Sequence, residues 1–142
     1  MSNPYNTNLD RNPANYQPLT PLTFLERAAT VFPNHIAIIH GAIRRNYDEF
    51  YRRSRQLASA LSNKGIGRGD TVSVMLANTP AMLESHYGVP MSGAVLHSLN
   101  TRLDPAVIAY QLDHADTKVL IVDREFLYVI RTAIELSKLI QY

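Results

Sequence analysis

The sequence contains no cysteine and no tryptophan, and it has only six glycines in 142 residues. The lack of cysteine excludes disulfides, thiolate metal sites and cysteine nucleophiles, and it fits a reducing compartment, so we expect a cytoplasmic location. Neither charge dominates, because 14 basic residues are set against 12 acidic ones, for a net charge of +2. So small an excess gives no support for nucleic-acid binding. The remaining composition, 46% hydrophobic and 18% charged, is typical of one globular domain.

The stretch with the least charge runs from residue 71 to residue 101, where Glu84 is the only charged side chain. Prolines, glycines, asparagines and histidines interrupt it, whereas a membrane span needs about 20 mostly apolar residues. We therefore expect a buried core there and no membrane association. The beginning of the chain also lacks a basic segment followed by an apolar run, which argues against a secretory signal.

The chain divides into two regions of different composition. Residues 1–19 are polar, with five Asn and three Pro, and we expect an extended polar arm. Residues 20–142 carry the periodic hydrophobic pattern of a folded domain. Its first helix is predicted from Pro21 to about Phe32, because Thr20 is a hydroxyl cap and proline suits the first helical position. Thr23 and Glu26 have the spacing of a capping box.

A β-hairpin and a second helix are predicted next. The β-branched run 35–40 and the alternating run 43–47 flank a glycine turn, which indicates the hairpin. Asp48 is the expected cap of the following helix, and Gly65 its left-handed end. The predicted apolar stripe of this helix consists of Phe50, Ser54, Leu57, Ala58 and Leu61.

From residue 71 onward, strands and helices alternate. Apolar strands are predicted at 71–77, 94–99 and 118–122, and helices are predicted to start at Thr79-Pro80 and Asp104-Pro105. Residues 124–141 form the last predicted helix, with a stripe of Phe126, Val129, Ile130, Ala133, Leu136 and Ile140. Parallel strands need crossover connections, so the pattern predicts an α/β fold with a partial parallel sheet. Strands that are apolar on both faces predict that helices flank the sheet on both sides.

The stretch from Gly65 to Asp70 is the only one dense in glycine. A phosphate loop follows a strand and opens a helix, whereas here a helix precedes the glycines and a strand follows them. These glycines would then lie at a helix C-terminus, whose dipole disfavours anions. We interpret the stretch as a structural cap and turn.

The histidines and arginines give no clear site. His35, His40, His86, His97 and His114 lack the spacing of a metal site, and His86 is interpreted as a satisfied core or interface histidine. A basic cluster of Arg44, Arg45, Arg52, Arg53 and Arg55 would suit an anionic partner. Two acidic residues at positions 48 and 49 lie beside it, however, and this favours a solvated face.

No nucleophile motif of the Gly-x-Ser-x-Gly type occurs, and the carboxylates are scattered. Asp113, Asp116 and Asp123 are interpreted as caps or strand ends. The residues themselves therefore predict no catalytic, no cofactor-binding and no metal-binding residue in this chain.

An ordered set of short motifs between residues 22 and 126 resembles a family. The set consists of Gly67-Arg-Gly69-Asp70-Thr-Val, Ala77-Asn78-Thr-Pro80, Gly93-Ala94-Val, Leu99-Asn100-Thr-Arg-Leu103, Tyr110-Gln-Leu-Asp113 and Lys118-Val-Leu-Ile-Val-Asp123. Together they resemble the N-terminal part of AMP-forming acyl-CoA synthetases. The segment 79–91 is similar to a branch that acts on short- and medium-chain or methylthio-substituted acids, which includes methylmercaptopropionate-CoA ligases and plant peroxisomal acyl-activating enzymes. After Phe126 the similarity is weak.

The resemblance implies a two-step ligation. A carboxylate attacks ATP to give an acyl-adenylate and pyrophosphate, and the thiol of coenzyme A then displaces AMP, with Mg²⁺ offsetting phosphate charge. The family's phosphate loop, Mg²⁺ ligand, ribose-binding Asp and catalytic Lys have no counterpart here.

Two hypotheses follow. In the first, the chain is an incomplete N-terminal fragment of such a ligase, inactive alone and needing its missing C-terminal portion. In the second, it is a stand-alone interaction or regulatory module that packs on a full-length ligase or self-associates. An exposed sheet edge and uncovered apolar faces would favour self-association.

Overall fold

A computed structural model describes residue 10 and residues 12–138. Within these residues, the five α-helices are α1 (Pro21–Val31), α2 (Tyr47–Asn63), α3 (Pro80–Met91), α4 (Pro105–His114) and α5 (Leu127–Leu136). The five strands are β1 (Ile36–His40), β2 (Ile43–Asn46), β3 (Thr71–Met75), β4 (Val95–Ser98) and β5 (Thr117–Val122). Residues 12–19 form a short turn and no helix or strand, while most of the predicted arm (1–9 and 11) lies outside the described residues.

Helix α1 begins as predicted, but its capping box differs. Thr20 is the N-cap, its hydroxyl accepts a hydrogen bond from the Thr23 N–H, and the Thr23 hydroxyl accepts one from the Thr20 N–H. The expected pairing of Thr23 with Glu26 is therefore wrong, because the helix starts at Pro21 and places Thr23 at the third position.

The hairpin is confirmed, and the cap of α2 is corrected. Strands β1 and β2 pair antiparallel across a turn in which Gly41 has φ of +55°. The cap of α2 is Asn46, whose side-chain oxygen accepts from the Glu49 N–H at 2.9 Å, and Asp48 instead lies in the first turn. Phe50, the first residue of the predicted stripe, is buried as expected.

Strands β3, β4 and β5 form a parallel sheet in the order β4-β3-β5, which confirms the predicted α/β class. Helix α4 begins at the predicted cap, since the Asp104 carboxylate accepts from the N–H groups of Ala106 and Val107. Helix α3 also begins as predicted, with Thr79 as its N-cap and Pro80 at its first position, although the Thr79 side chain makes no capping hydrogen bond within the described residues.

Each face of the sheet carries its own core. On one face, α2 and α3 pack over Val72 and Val74 of β3, which are fully buried. On the other face, α4 and α5 pack over Met75, also fully buried. Helices on both faces are thus confirmed. A third cluster joins α1, β1 and α2 around Leu25, Ile38 and Phe50.

Helices α2 and α3 approach each other closely at a glycine. A Cβ built on Gly88 would lie 2.8 Å from Leu57 side-chain atoms and 2.8 Å from the Ser54 carbonyl oxygen. Because one of these contacts is backbone, a larger residue would have to push the two helices apart.

The last helix begins later than predicted. Residues Arg124–Phe126 form a 3-10 turn, and α5 proper starts at Leu127. Ile130 and Ala133 of the predicted stripe are buried, whereas Leu136 is 55% exposed, so its expected place in the core is wrong. Ile140 lies outside the described residues. In the part of the chain that the structure describes, no helix combines the length and apolar character needed to cross a bilayer.

Candidate functional site

The most unusual polar feature of the described fold is a cluster of charges around the buried side chain of Glu84 on α3. Arg45 from β2 and Arg53 from α2 both donate to the same oxygen, Oε1 of Glu84, the Arg53 Nε at 2.7 Å. The Arg45 Nε also lies 3.3 Å from the Glu49 carboxylate. Two positive and two negative side chains thus meet where three elements come together.

Two of the four side chains in this cluster are largely shielded from solvent. The Glu84 side chain is only 9% exposed, and that of Arg45 only 17%. The hydrogen bond to Glu84 and its negative charge raise the pKa of Arg53 above the ordinary value, although partial burial opposes the shift. Removing one partner would leave the buried carboxylate uncompensated, so we expect such a change to weaken the packing of the hairpin and α2 against α3.

This cluster overturns the expected solvated face for part of the basic group. Arg52 behaves as predicted, since it pairs with Asp48 at an exposed position, and Arg53 also stays 42% exposed although it pairs with Glu84. Arg45 differs from the expectation, because its side chain is only 17% exposed. The partners of Glu84 lie 39 and 31 residues away in the chain, so spacing could not reveal them. The available signal was a single charged residue in an otherwise uncharged stretch of 31 residues, from 71 to 101.

A groove of about 620 Å³ lies between the hairpin and the N-terminal half of α3. Apolar side chains such as Ile39 and Leu83 dominate its lining, and they are 67% and 38% exposed. His40 and His86 add polar groups to the walls. The size lies within the range of small-molecule pockets, about 300–1,000 Å³.

Of the two placements expected for His86, the core is wrong, and an interface stays a prediction. His86 is exposed, and its Nδ1 lies 2.9 Å from the Met82 carbonyl oxygen of the preceding helical turn. Helix α3 is apolar on several sides rather than along one stripe, so its sequence does not indicate which face His86 occupies.

A row of hydrogen bonds crosses the sheet on the face covered by α4 and α5. The hydroxyl of Ser73, fully buried in β3, lies 2.8 Å from the His97 Nδ1 on β4 and 2.7 Å from the Thr117 hydroxyl on β5. Burial lowers the pKa of His97, which favours the neutral imidazole. Neutral His97 can accept from Ser73 while Ser73 accepts from Thr117, so every hydroxyl is satisfied. The hydrogen bonds among Ser73, His97 and Thr117 thus satisfy polar groups within the sheet.

The glycine-dense stretch has the predicted placement between the C-terminal end of α2 and β3. Gly65 and Gly69 have φ of +79° and +93°, and the Gly67 N–H donates to the Asp70 carboxylate at 2.8 Å. The Gly67 N–H is therefore already bonded to the Asp70 carboxylate and is not free to bind an anion. The structure therefore supports the interpretation of this stretch as a turn.

Of the three carboxylates expected at caps or strand ends, Asp116 and Asp123 flank β5, but Asp113 lies within α4, so the expectation is wrong for Asp113. Asp113 accepts from the Ser137 hydroxyl and the Lys138 N–H, and so holds the end of α5 against α4. Asp116 is the turn residue before β5, with φ of +49°, and pairs with Lys118. Asp123 follows β5 and precedes the 3-10 turn.

The described His, Asp and Glu side chains are scattered rather than gathered at one point. Across residue 10 and residues 12–138, no group of three or more His, Asp or Glu side chains is arranged to hold a metal ion.

Comparison with known proteins identifies the class. Residues 25–141 match the family described as AMP-binding enzyme. The chain belongs to this family of adenylate-forming ligases, as the motifs between residues 22 and 126 indicated. The match continues to residue 141, so the expectation that family similarity fades after Phe126 is corrected.

The relatives narrow the class to acyl-CoA ligases. The chain is 46% identical over 128 residues to an acetate–CoA ligase of Humulus lupulus, which covers 90% of this chain and 22% of that protein. It is 45% identical over 130 residues to a peroxisomal acetate/butyrate–CoA ligase of Arabidopsis thaliana, covering 92% of this chain and 23% of the relative. It is also 49% identical over 123 residues to a peroxisomal trans-cinnamate:CoA ligase of Petunia hybrida, and this match covers 87% of this chain and 22% of the relative. The chain thus spans between a fifth and a quarter of the length of the curated relatives it matches.

Solved structures agree with the fold. The chain superposes with a TM-score of 0.79 on the anthranilate CoA ligase AuaEII in complex with anthranoyl-AMP, at 25% identity over 85% of this chain and 23% of that one. It superposes with a TM-score of 0.76 on the N-terminal domain of FACL13 from Mycobacterium tuberculosis, at 28% identity, covering 82% of this chain and 29% of that domain. The described helices and parallel sheet therefore form a part of the fold of adenylate-forming CoA ligases.

Proposed function

We propose that the protein to which this chain belongs is an AMP-forming acyl-CoA ligase, and that the chain supplies structural elements of its ATP-dependent body. The family match over residues 25–141 supports this proposal most strongly. The reaction joins a carboxylic acid to coenzyme A. It consumes ATP and releases AMP and pyrophosphate, with Mg²⁺ balancing the phosphate charge.

The substrate is proposed to be a small monocarboxylic acid. The names of the relatives specify acetate, butyrate and trans-cinnamate, which share a carboxylate and differ in the group attached to it. The segment 79–91 resembles the branch for short- and medium-chain or methylthio-substituted acids. Acids of two to eight carbons and 3-methylthiopropionate are therefore the set to test first.

The 142 residues alone are proposed to be inactive. The glycine-dense stretch lies at a helix C-terminus, and its Gly67 N–H is already bonded to Asp70. An oxygen-rich triphosphate needs N–H donors at a helix N-terminus, or a lysine within a glycine-rich loop. The arrangement at Gly65–Asp70 offers neither.

The test compares two proteins under one assay. The first is the chain itself, and the second is a chimera in which the matching 128-residue segment of the Humulus lupulus ligase is replaced by this chain. Each is incubated with ATP, Mg²⁺, coenzyme A and the acids named above, and acyl-CoA and pyrophosphate are measured. We expect turnover by the chimera and none by the chain.

Controls separate the two parts of this proposal. The unmodified Humulus lupulus ligase reports that the assay works, and the same ligase lacking the segment reports the background. Turnover by the chain alone would refute the proposed inactivity. A folded chimera that turns over none of these acids would contradict the proposal that the chain serves as part of such a ligase.

A second function is supported by exposed apolar side chains. Val95 on β4 is 55% exposed and Tyr128 on α5 is 85% exposed. Such surfaces suit a module that binds a full-length ligase or a second copy of itself. Size-exclusion chromatography with light scattering distinguishes the two possibilities. A monomer that also fails to bind the intact ligase would eliminate this alternative.

The cellular location is proposed to be the cytoplasm, on the grounds of the cysteine-free composition. Two of the three relatives described above, those from Arabidopsis thaliana and Petunia hybrida, carry the word peroxisomal in their names. Imaging of the full-length protein with a small internal tag distinguishes the two compartments, and co-localisation with a peroxisomal marker would overturn the cytoplasmic proposal.

A further inference from the structure

The groove between the hairpin and α3 has long apolar walls. It measures about 620 Å³, and its apolar lining includes Ile39, Pro80, Met82, Leu83 and Tyr87. The side chains of Ile39 and Leu83 are exposed, so the described residues leave these walls uncovered. A cavity of this size and character is typical of sites that bind small molecules.

The α3 wall of the groove follows one side of the helix. Its lining residues run from Thr79 through Met82 and Leu83 to His86, at steps of three or four residues. Residues at this spacing lie one above the other on the same face of a helix. At a rise of 1.5 Å per residue, the path from Thr79 to His86 extends about 10 Å along the helix axis. The wall therefore suits a ligand with an extended apolar body of that length.

The polar groups of the groove carry no negative charge. They consist of His40 on β1, His86 on α3, and the side chains of Asn78 and Thr79 just before α3. No Asp or Glu occurs among the described residues of this lining. Glu84, the acid nearest to His86 in the sequence, is instead bound by two arginines in its buried cluster. The charge of the groove therefore complements an anionic head group.

The hydrogen bond of His86 selects the kind of anion. Its Nδ1 lies 2.9 Å from the Met82 carbonyl oxygen, which can only accept. Nδ1 therefore carries the hydrogen, and Nε2 is the ring nitrogen that is left for a ligand. A neutral imidazole presents a lone pair at Nε2, whereas a protonated one presents an N–H and a positive charge. A carboxylate accepts hydrogen bonds and is negative, so it binds the protonated form.

We propose that this groove binds a free monocarboxylate, with the carboxylate at His86 and the apolar body along Leu83, between α3 and Ile39. The ligand class rests on the proposed function, because a small monocarboxylic acid is the proposed substrate of the ligase. An eight-carbon acid matches the extent of the α3 wall, so octanoate is the probe. Its binding draws a proton to His86 and is therefore tighter at low pH than at high pH.

The test is a titration of the isotopically labelled 142-residue chain with octanoate, followed by nuclear magnetic resonance. We expect saturable shifts of the amide signals of Leu83 and His86 on α3 and of Ile39 across the groove. The amide of Val107 on α4 is the internal control and is expected to stay unchanged, because α4 packs on the opposite face of the parallel sheet. Saturable shifts at Val107 without shifts in the groove would overturn the location.

The pH dependence tests the head group. Between pH 8 and pH 6 we expect the dissociation constant of octanoate to fall at least threefold, because imidazole gains its proton in this range. Octanamide keeps the apolar body but has a neutral head group, so its dissociation constant is expected to stay constant. An equal pH dependence for the two ligands would contradict the assignment of a carboxylate.

The length of the acid tests the apolar walls. Each buried methylene contributes about fourfold in affinity, so hexanoate is expected to bind roughly fifteenfold more weakly than octanoate. Equal affinities for the two acids would show that only the head group is held, and the placement along Leu83 would be wrong.

A substitution at His86 separates it from the other titratable groups of the lining, which are His40 and Tyr87. His86→Gln replaces an exposed imidazole on α3, and His114→Gln at the exposed end of α4 is the matched control. We expect the pH dependence of octanoate binding to disappear in the first variant and to persist in the second. Persistence in His86→Gln would refute the role of His86.

A charge placed on the wall gives an independent measurement. Leu83→Glu adds a negative charge at a position that is 38% exposed, and Val107→Glu on α4 is matched to it at 39%. We expect octanoate affinity to fall at least tenfold in Leu83→Glu and to stay unchanged in Val107→Glu, while octanamide loses less than octanoate. The dispersion of the amide signals reports that each variant is folded. Equal losses for octanoate and octanamide would contradict an anionic head group.

The remaining outcomes separate this inference from the proposed function. An active chimera combined with no octanoate binding by the chain refutes the groove site and supports the function. Saturable binding by the chain combined with a folded, inactive chimera does the reverse. Groove signals that shift with protein concentration in the absence of any acid would identify a second copy as the occupant and overturn the proposal.

Discussion

The buried carboxylate of Glu84 gives the sharpest prediction about stability. In the Glu84→Gln variant, the shape of the side chain is kept and its negative charge is removed. Arg45 and Arg53 would then share a neutral acceptor in a site where Glu84 is 9% exposed. The variant therefore isolates the charge from the packing of α3.

The magnitude follows from the contacts. Hydrogen bonds to a charged group contribute about 1.5–3 kcal/mol each, and Glu84 accepts two. The Arg53 side chain is 42% exposed, so solvent screens its share. Breaking a fully buried pair costs about 3–5 kcal/mol, and we therefore expect a loss of about 2–3 kcal/mol in the free energy of unfolding.

Urea denaturation of the 142-residue chain measures this loss. With a urea slope of about 1–3 kcal/mol/M, the midpoint is expected to fall by on the order of 1 M. The matched control is Asp116→Asn, which makes the same chemical change in an exposed pair with Lys118 and is expected to cost less than about 1 kcal/mol. If Glu84→Gln lowered the midpoint no more than Asp116→Asn, the cluster would not hold the fold as argued.

Three further changes test packing, capping and protonation. Gly88→Ala forces α2 and α3 apart, and we expect the free energy of unfolding measured in urea to fall by about 1–3 kcal/mol. Gly67→Ala is the control and is expected to be nearly neutral, because its Cβ would meet nothing nearer than 3.9 Å. Equal losses in the two variants would refute the close approach of the helices. Asp104→Ala removes two capping hydrogen bonds and is expected to lower the free energy of unfolding by about 1 kcal/mol. Thr79→Ala removes no such bond and is expected to cost less. A larger loss at Thr79 than at Asp104 would contradict the capping geometry. The pKa of His97 is lowered in the folded state, so its neutral form stabilises the chain fully above the ordinary value of 6.5, and this contribution is lost as the pH falls below it. Between pH 7.5 and pH 5 the native chain should therefore lose more stability than His97→Gln, and parallel pH profiles would disprove the assignment.

The regular part of the fold could be predicted because it depends on local periodicity. Runs of apolar residues bounded by caps and prolines indicated β3, β5 and α4 closely, and their alternation indicated the parallel sheet. The same reasoning placed Ile130 and Ala133 in the core. The prediction was wrong for Leu136, which is the last residue of α5 and is exposed there.

The cap residues were harder to predict, since several candidates stood within one turn. Asn46 and Asp48 are both good caps, and only the register of the helix selects Asn46. Similarly, Thr20 and Thr23 satisfy each other and leave Glu26 outside the box. The first helical residue has to be known before such a choice can be made.

The charge cluster could not be predicted because its members come from three separate elements. A sequence shows that Glu84 is isolated in an apolar stretch, but not that two arginines more than 30 residues away reach it. The exposed edge of β5 was expected only in general terms. Identifying β5 as one of the two edges required the strand order.

Titration calorimetry with Mg²⁺-ATP tests the central claim most directly, because that claim assigns the chain a structural part in a larger ligase. The isolated chain and the chimera with the Humulus lupulus ligase are titrated under the same conditions. The account predicts nucleotide binding by the chimera and no stoichiometric binding by the chain. Tight binding of one ATP by these 142 residues alone would contradict it.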